Sequence, residues 1–181
     1  TVRYWWHRFG PMFAAEIRKR RIEGMRSRHW RWRLDEIFVK INGEMRYLWL
    51  AVDNEGEVLE SFVTKTRDKK AALKFLEKAM KKHGRAGVLL TDKLRSYGAA
   101  LKEIGAAARQ ETGSWLNNRA ENSHLPFRRL RFRRIRSLQI FASVHASVTN
   151  HFNHERSLSS RNLFKQNRAA ALAEWRELGA A

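Results

Sequence analysis

Residues 33–65 read RLDEIFVKINGEMRYLWLAVDNEGEVLESFVTK. Residues 33–41 alternate in polarity, so Asp35, Ile37, Val39 and Ile41 share one face of a strand. Asn42-Gly43 is a strong hairpin signal, because a tight two-residue turn needs positive φ at both positions. Residues 46–53, RYLWLAVD, form a nearly continuous apolar run, as expected for a strand buried on both faces. Asp53-Asn54-Glu55-Gly56 is a second turn. Residues 57–65 are a third strand, so the stretch is a three-strand antiparallel meander.

Downstream, residues 68–83 carry a helical stripe of Ala72, Leu73, Leu76, Ala79 and Met80, ended by Gly84 and Gly87. Val88-Leu89-Leu90-Thr91 is a short buried strand. A helix between two strands implies a right-handed crossover into a parallel position. Residues 94–104 read as a short helix and 107–112 as an edge strand. A helix starts near Asn118, and Pro126 kinks or ends it. Residues 137–153 form an amphipathic helix with Leu138, Phe141, Val144, His145, Val148 and Phe152 on one side, and 168–178 form a last one. Upstream, residues 1–9 read as a helix stopped by Gly10-Pro11, with a second short helix over 11–21. The fold class is α/β: a mixed sheet, an antiparallel three-strand meander plus a parallel strand, flanked by helices.

The chain is strongly basic, with 37 Lys and Arg against 18 Asp and Glu and a formal net charge of +19. Such an excess bears on partners, not on fold. Nucleic acid leads, because counterion release from phosphates drives binding; a ribosomal or chromatin-like binder fits the charge equally well. A membrane surface fits less well, since the cations are spread along the chain and not gathered on one amphipathic helix. No apolar run approaches the roughly 18 residues needed to span a bilayer, and no secretory signal is visible. There is no Cys, which excludes disulfides and thiolate metal sites. No zinc-protease His pair, Gly-rich phosphate loop, Walker lysine or nucleophile elbow is present. His7, His29 and His83 read as surface residues.

Three acids stand out against this charge. Asp35 lies on an apolar strand face, where an ionised carboxylate is costly unless paired or bound to a cation; a salt bridge with Arg33 or an exposed strand end is the plainer alternative. Asp92 follows the buried VLLT and precedes a helix, at the strand end where α/β folds commonly place sites; an N-cap role competes. Glu121 follows Asn118 at capping-box spacing, so a cap competes there too. His124 falls three residues after Glu121, on the same helical face. Asp53 also ends a buried strand, but turn chemistry accounts for it.

The order of these acids, on the opening strand, just after the post-helix strand and on a later helix, matches the ribonuclease-H-like nucleotidyl transferases. The stretches WRLDEIFVKINGEMRYLWLAVDNEGEVLES, TKTRDKKAALKFLEKAMKKHG, LLTDKLRSYGAA and RQETGSWLNNRAENSHLPFRR resemble bacterial DDE-type insertion-sequence transposases of the insertion-sequence-six branch. The tail SLQIFASVHASVTNHFNHERSL is similar as well. The resemblance implies a ribonuclease-H-like catalytic domain over 33–181 with C-terminal helices. It implies that residues 1–32 are a basic helical arm, the remnant of an N-terminal helix-turn-helix region that reads terminal inverted repeats. It implies Asp35, Asp92 and Glu121 as a catalytic, metal-binding triad for Mg²⁺ or Mn²⁺, with two ions, since oxygen ligands suit these cations.

The implied activity is strand cleavage at transposon ends and 3′-OH strand transfer into target DNA. The expected partner is double-stranded DNA, both ends and target, handled by a homodimer or higher synaptic assembly in the cytoplasm, at the bacterial nucleoid. Lys93, Arg95, His124, Arg128, Arg129, Arg131, Arg133 and Arg134 are the expected DNA contacts, together with Arg136. The 28 residues between Asp92 and Glu121 are fewer than in DDE enzymes at large, and the segment after LPFRR is also short. Two alternatives stand beside this reading: a nuclease of the same fold without strand transfer, and an inactive, truncated DNA-binding remnant.

Overall fold

The computed structural model describes residues 2–24, 31–53, 57–92, 94–113, 127, 131–152 and 160–180. Asn42 and Gly43 take φ of 49° and 86° and close the first hairpin, the backbone twist that right-handed strands require. They join β1 (Arg31–Ile41) to β2 (Glu44–Asp53), with Ile41 opposite Glu44 and Trp32 opposite Asp53. β3 (Val58–Thr64) continues the meander antiparallel to β2, with an irregularity at Ala51/Val52. α2 (Lys69–His83) then carries the chain over one face. It returns as β4 (Val88–Thr91), parallel to β1. α3 (Arg95–Glu103) and a short 3₁₀ turn lead to β5 (Gln110–Thr112), parallel to β4. The sheet order is β3-β2-β1-β4-β5, the mixed sheet expected from the meander and crossover, with β5 as its parallel edge.

Both faces of the sheet are covered. Trp32, Leu34, Trp49 and Ala51 pack with Phe75, Leu76 and Ala79 of α2 and with Tyr97 and Leu101 of α3. On the other face, Ile37, Val39, Ile41, Leu48 and Leu50 pack with Phe127, Phe132 and, from α4 (Ile135–Phe152), Leu138 and Ala142. Each large apolar side chain so enclosed contributes roughly 1.5–3 kcal/mol. α2 starts at Asp68, whose carboxylate accepts the Ala71 N–H at 2.8 Å. That bond, foremost, holds the Asp68 carboxyl below its usual pKa.

Two helix boundaries differ from expectation. The first 24 residues do not split at Gly10-Pro11: one helix, α1, runs Val2–Gly24 with Pro11 inside it. Pro11 lies on the exposed side, where water can serve the carbonyl left without its donor. Gly10 faces α4, and a Cβ there would sit 3.0 Å from Val144 Cγ1. With Trp6 against Phe141 at 5.8 Å and Ala14 and Ile17 buried, packing holds the helix through the proline. The last helix, α5 (Arg161–Ala180), begins well before residue 168. α4 is also buried on more than the one stripe expected. Ala142, Ser147 and Asn150 are enclosed along with Leu138 and Val144 of that stripe, because α4 is sandwiched between the sheet and α1.

Candidate active site

β1 and β4 run parallel with Arg31, Trp32 and Arg33 level with Val88, Leu89 and Leu90. The same offset carried two positions further sets Asp92 level with Asp35. Asp35 is buried, and its Oδ1 accepts the Glu36 N–H at 2.9 Å. Asp92 lies one residue past the end of β4, where its Oδ1 accepts the Leu94 N–H at 2.9 Å. That is a local turn before α3, not an N-cap: the cap position is Leu94, which lends no side-chain bond. The N-cap alternative for Asp92 is therefore not met. The other Asp92 oxygen, Oδ2, lies 4.0 Å from Arg67 Nη2.

A third carboxylate joins them. Glu36 is 7% exposed and sits on the sheet face shared with Trp32 and Leu34. Its Oε1 is paired with Arg67 Nη2. Burial, then the Asp92 charge, pushes the Glu36 carboxyl up to about 7 against the opposing pull of Arg67. The wholly buried Tyr97 hydroxyl faces Glu36, and burial with the charges of Glu36, Asp35 and Asp92 raises its pKa well above the ordinary phenol value. Trp49 fixes the Tyr97 ring edge-on at 5.4 Å and donates its indole N–H to Thr64 Oγ1 at 2.7 Å. Arg67 lies over the Phe38 ring at 5.3 Å. Phe38 is itself beside Tyr47, its partner across the hairpin, at 5.2 Å.

The structure thus gathers Glu36, Arg67 and Asp92, and the charges of Asp35 and Asp92 reach both Glu36 and Tyr97; Glu36, Arg67 and Tyr97 are residues that sequence reasoning passed over. The signal for Glu36 was present: a carboxylate on the strand face that carries Trp32 and Leu34. Arg67 and Tyr97 gave no local signal. Among the described residues, no three His, Asp or Glu side chains form a metal-holding group. Glu121, His124, Lys93, Arg128 and Arg129 lie outside the described residues.

Arg95 is exposed at the start of α3, and Arg131, Arg133, Arg134 and Arg136 are exposed ahead of and within the first turn of α4. The arginine segment is tied to the β1 end of the sheet by an Ile41–Phe132 bridge and by Asn42 Nδ2 donating to Arg133 O at 2.8 Å. It starts six residues along β1 from Asp35, roughly 20 Å at the rise of a strand. Asp53 behaves as turn chemistry requires, its Oδ1 accepting the Glu57 N–H at 2.8 Å. His83 is not a surface residue. It is half-buried, edge-on to Trp32 at 6.4 Å, because the end of α2 folds onto the sheet.

The chain matches the profile of a DDE domain, that of the IS240-type transposases, over residues 29–160. It is 29% identical over 129 residues to the transposase for insertion sequence-like element IS431mec of Staphylococcus aureus. The transposase for insertion sequence element IS257 in transposon Tn4003, also from Staphylococcus aureus, is matched to the same degree. Each alignment covers 68% of this chain and 56% of the relative, so the chain spans little more than half the length of these proteins. Among solved structures, the HTLV-2 integrase catalytic core domain in complex with magnesium superposes with a TM-score of 0.47 and 11% identity, covering 67% of this chain and 84% of that one. The Mos1 transposase catalytic domain with raltegravir and Mn superposes with a TM-score of 0.44 and 14% identity, covering 87% and 90%. On the profile match, which takes in most of the chain with Asp35 and Asp92, this protein belongs to the DDE family of insertion-sequence transposases.

Proposed function

We propose that this chain is the catalytic part of a DNA transposase that cuts one strand at each element end and joins the resulting 3′-OH to target DNA. Residues 33–181 form the catalytic unit and residues 1–32 a basic arm. The observation that supports this reading is the placement of Asp35 and Asp92 at the end of the parallel β1–β4 pair, the two positions that the transposase resemblance implies as catalytic acids. Asp35 and Asp92 offer hard carboxylate oxygens, the donor type suited to Mg²⁺ or Mn²⁺, and Asp92 Oδ2 has no described hydrogen-bond donor closer than Arg67. The donor chemistry therefore fits a pair of divalent ions, with Glu121 as the third ligand. When bound, such ions supply a nucleophile near neutral pH and charge stabilisation at the phosphorus.

The remaining work belongs to cationic side chains. Arg95, Arg131, Arg133 and Arg134, with Lys93, His124, Arg128 and Arg129, hold the phosphodiester backbone of double-stranded DNA. A synaptic assembly of two or more copies would bring two ends together. The test uses labelled duplex carrying the element's own ends, incubated with target plasmid and Mg²⁺. Wild-type protein should nick and join. Asp35→Asn, Asp92→Asn and Glu121→Gln should each lose both products by at least about 100-fold while still shifting DNA on a gel, the loss expected when a group acting in the transition state is removed. Persisting cleavage in Asp35→Asn sinks the triad assignment. Nicking without joining by the wild type assigns the chain to the nuclease alternative.

A further inference from the structure

One nitrogen of Arg67 stands between two carboxylates. Nη2 is paired with Glu36 Oε1 and is 4.0 Å from Asp92 Oδ2. Asp92 Oδ1 accepts the Leu94 N–H, and Oδ2 is the oxygen that faces Arg67, available to a cation or to a guanidinium. A shift of about 1 Å would close the Arg67–Asp92 gap to the roughly 2.8 Å of a charge-assisted hydrogen bond. An arginine fork favours carboxylates strongly, and an Asp92 so engaged is a poorer ligand. What holds Arg67 back is visible: the buried Glu36 carboxylate on one side and the Phe38 ring, 5.3 Å from Cζ, beneath it.

The geometry points to Glu36 as a positioning residue that occupies Arg67 and so leaves the Asp92 carboxylate available to a divalent cation. This rests on the reading of Asp35 and Asp92 as cation ligands. Glu36 does not itself need to touch the ion. Its role is to decide which of two anions the guanidinium serves. Arg67 in turn offsets the charge of Glu36 and Asp92 before any cation arrives.

Mn²⁺ binding to the purified chain, followed by electron paramagnetic resonance at about pH 8, where carboxylates are ionised, tests this without any DNA reaction. Glu36→Gln frees Arg67 to close on Asp92, and Mn²⁺ affinity should fall roughly 10–100-fold, the range for losing an outer-shell partner of a metal site. Adding Arg67→Lys to Glu36→Gln keeps the charge but removes the fork and the reach, and affinity should recover. A double variant that binds as weakly as Glu36→Gln alone would show a simple field effect and overturn the inference, as would unchanged binding in Glu36→Gln. If Glu36→Gln does not fold, Glu36→Asp decides: it keeps the charge but withdraws the carboxylate from Arg67, so weaker Mn²⁺ binding supports the role, and unchanged or tighter binding refutes it. Asp92→Asn separates the two levels. Undiminished Mn²⁺ binding there overturns the ligand assignment itself, whereas lost binding there with normal binding in Glu36→Gln overturns only the role of Glu36.

Discussion

His145 sits between the Phe127 and Phe141 rings, with centroids 5.7 and 5.5 Å away. Burial lowers its pKa below the ordinary value of 6.5. The folded chain therefore binds this proton less readily than the unfolded chain, and stability rises with pH wherever the unfolded state holds more protons. The contribution is complete above about 6.5 and is lost as pH falls from there through the folded-state value. His145→Phe keeps the ring and removes the proton site. Its melting temperature should fall less than the wild type's between about pH 7.5 and 5. Parallel curves for the two proteins would show that His145 titrates no differently on folding.

The same scale explains what was legible in the site. Asp35 and Asp92 could be read because each breaks a local apolar pattern. Glu36 beside Asp35 breaks the opposite face in the same way, yet an adjacent pair of acids in a strand also reads as one inward and one outward residue. Only the two-sided burial of β1 shows that both point inward. Arg67 and Tyr97 reach Glu36 through the crossover and α3, contacts between elements distant in sequence.

α4 does more than cover the sheet. β3 is an edge strand, with backbone groups unpaired on its outer side, which proteins usually shield. Asn150 Nδ2 donates to Val58 O at 2.8 Å and Asn150 Oδ1 accepts the Val58 N–H at 2.9 Å. Gln139, three turns earlier, does the same for Ser61 O and the Val63 N–H, both at 2.9 Å. Two side-chain amides thus mimic a neighbouring strand. Asn150→Asp keeps the acceptor and loses the donor, placing a carboxylate against the Val58 carbonyl. It should cost about 1–3 kcal/mol, the range for a buried polar group left unsatisfied, read as a shift in urea midpoint with the slope unchanged. An unchanged midpoint would mean that water replaces the amide without loss.

α1 makes the complementary point. Gly10-Pro11 reads as a stop in sequence because proline removes a helical bond. It does not stop the helix, since Gly10 is the point of close approach to Val144 and Pro11 faces outward. Gly10→Val should separate α1 from α4 and lower the melting temperature, by an overpacking cost of about 1–3 kcal/mol. Gly10→Ala brings a Cβ to 3.0 Å from a methyl that can give slightly. It also gains helix propensity of about 0.5–1 kcal/mol, so it should lie near the wild type. Local rules fix where helices are favoured, and tertiary contact decides whether a weak point is bridged.

At the scale of the whole molecule, a charge of +19 states how strongly the chain can attract a polyanion but not where. Location separates two groups of cations. Lys78 and Lys82 of α2, exposed themselves, are committed to a buried acid: they lie 3.1 and 3.3 Å from Glu60, burial of which raises its pKa while the two lysines more than offset this and hold it low. Arg131, Arg133 and Arg134 are exposed and tethered to the Ile41 end of β1, the strand that carries Asp35. If the second group meets DNA, replacing all three with Ala should flatten the dependence of log affinity on log salt by roughly 2 to 3, since each phosphate contact adds about 0.9 to the slope on duplex DNA. Lys78→Ala with Lys82→Ala removes a similar charge but should leave the salt slope nearly unchanged, while lowering stability by leaving the buried Glu60 without a cationic partner. Anisotropy titrations of a labelled duplex across a salt series, paired with thermal melts, read both quantities on the same proteins. Equal flattening by the two sets would mean that the duplex responds to total charge alone, and the arginine segment would lose its claim to be a DNA-facing surface.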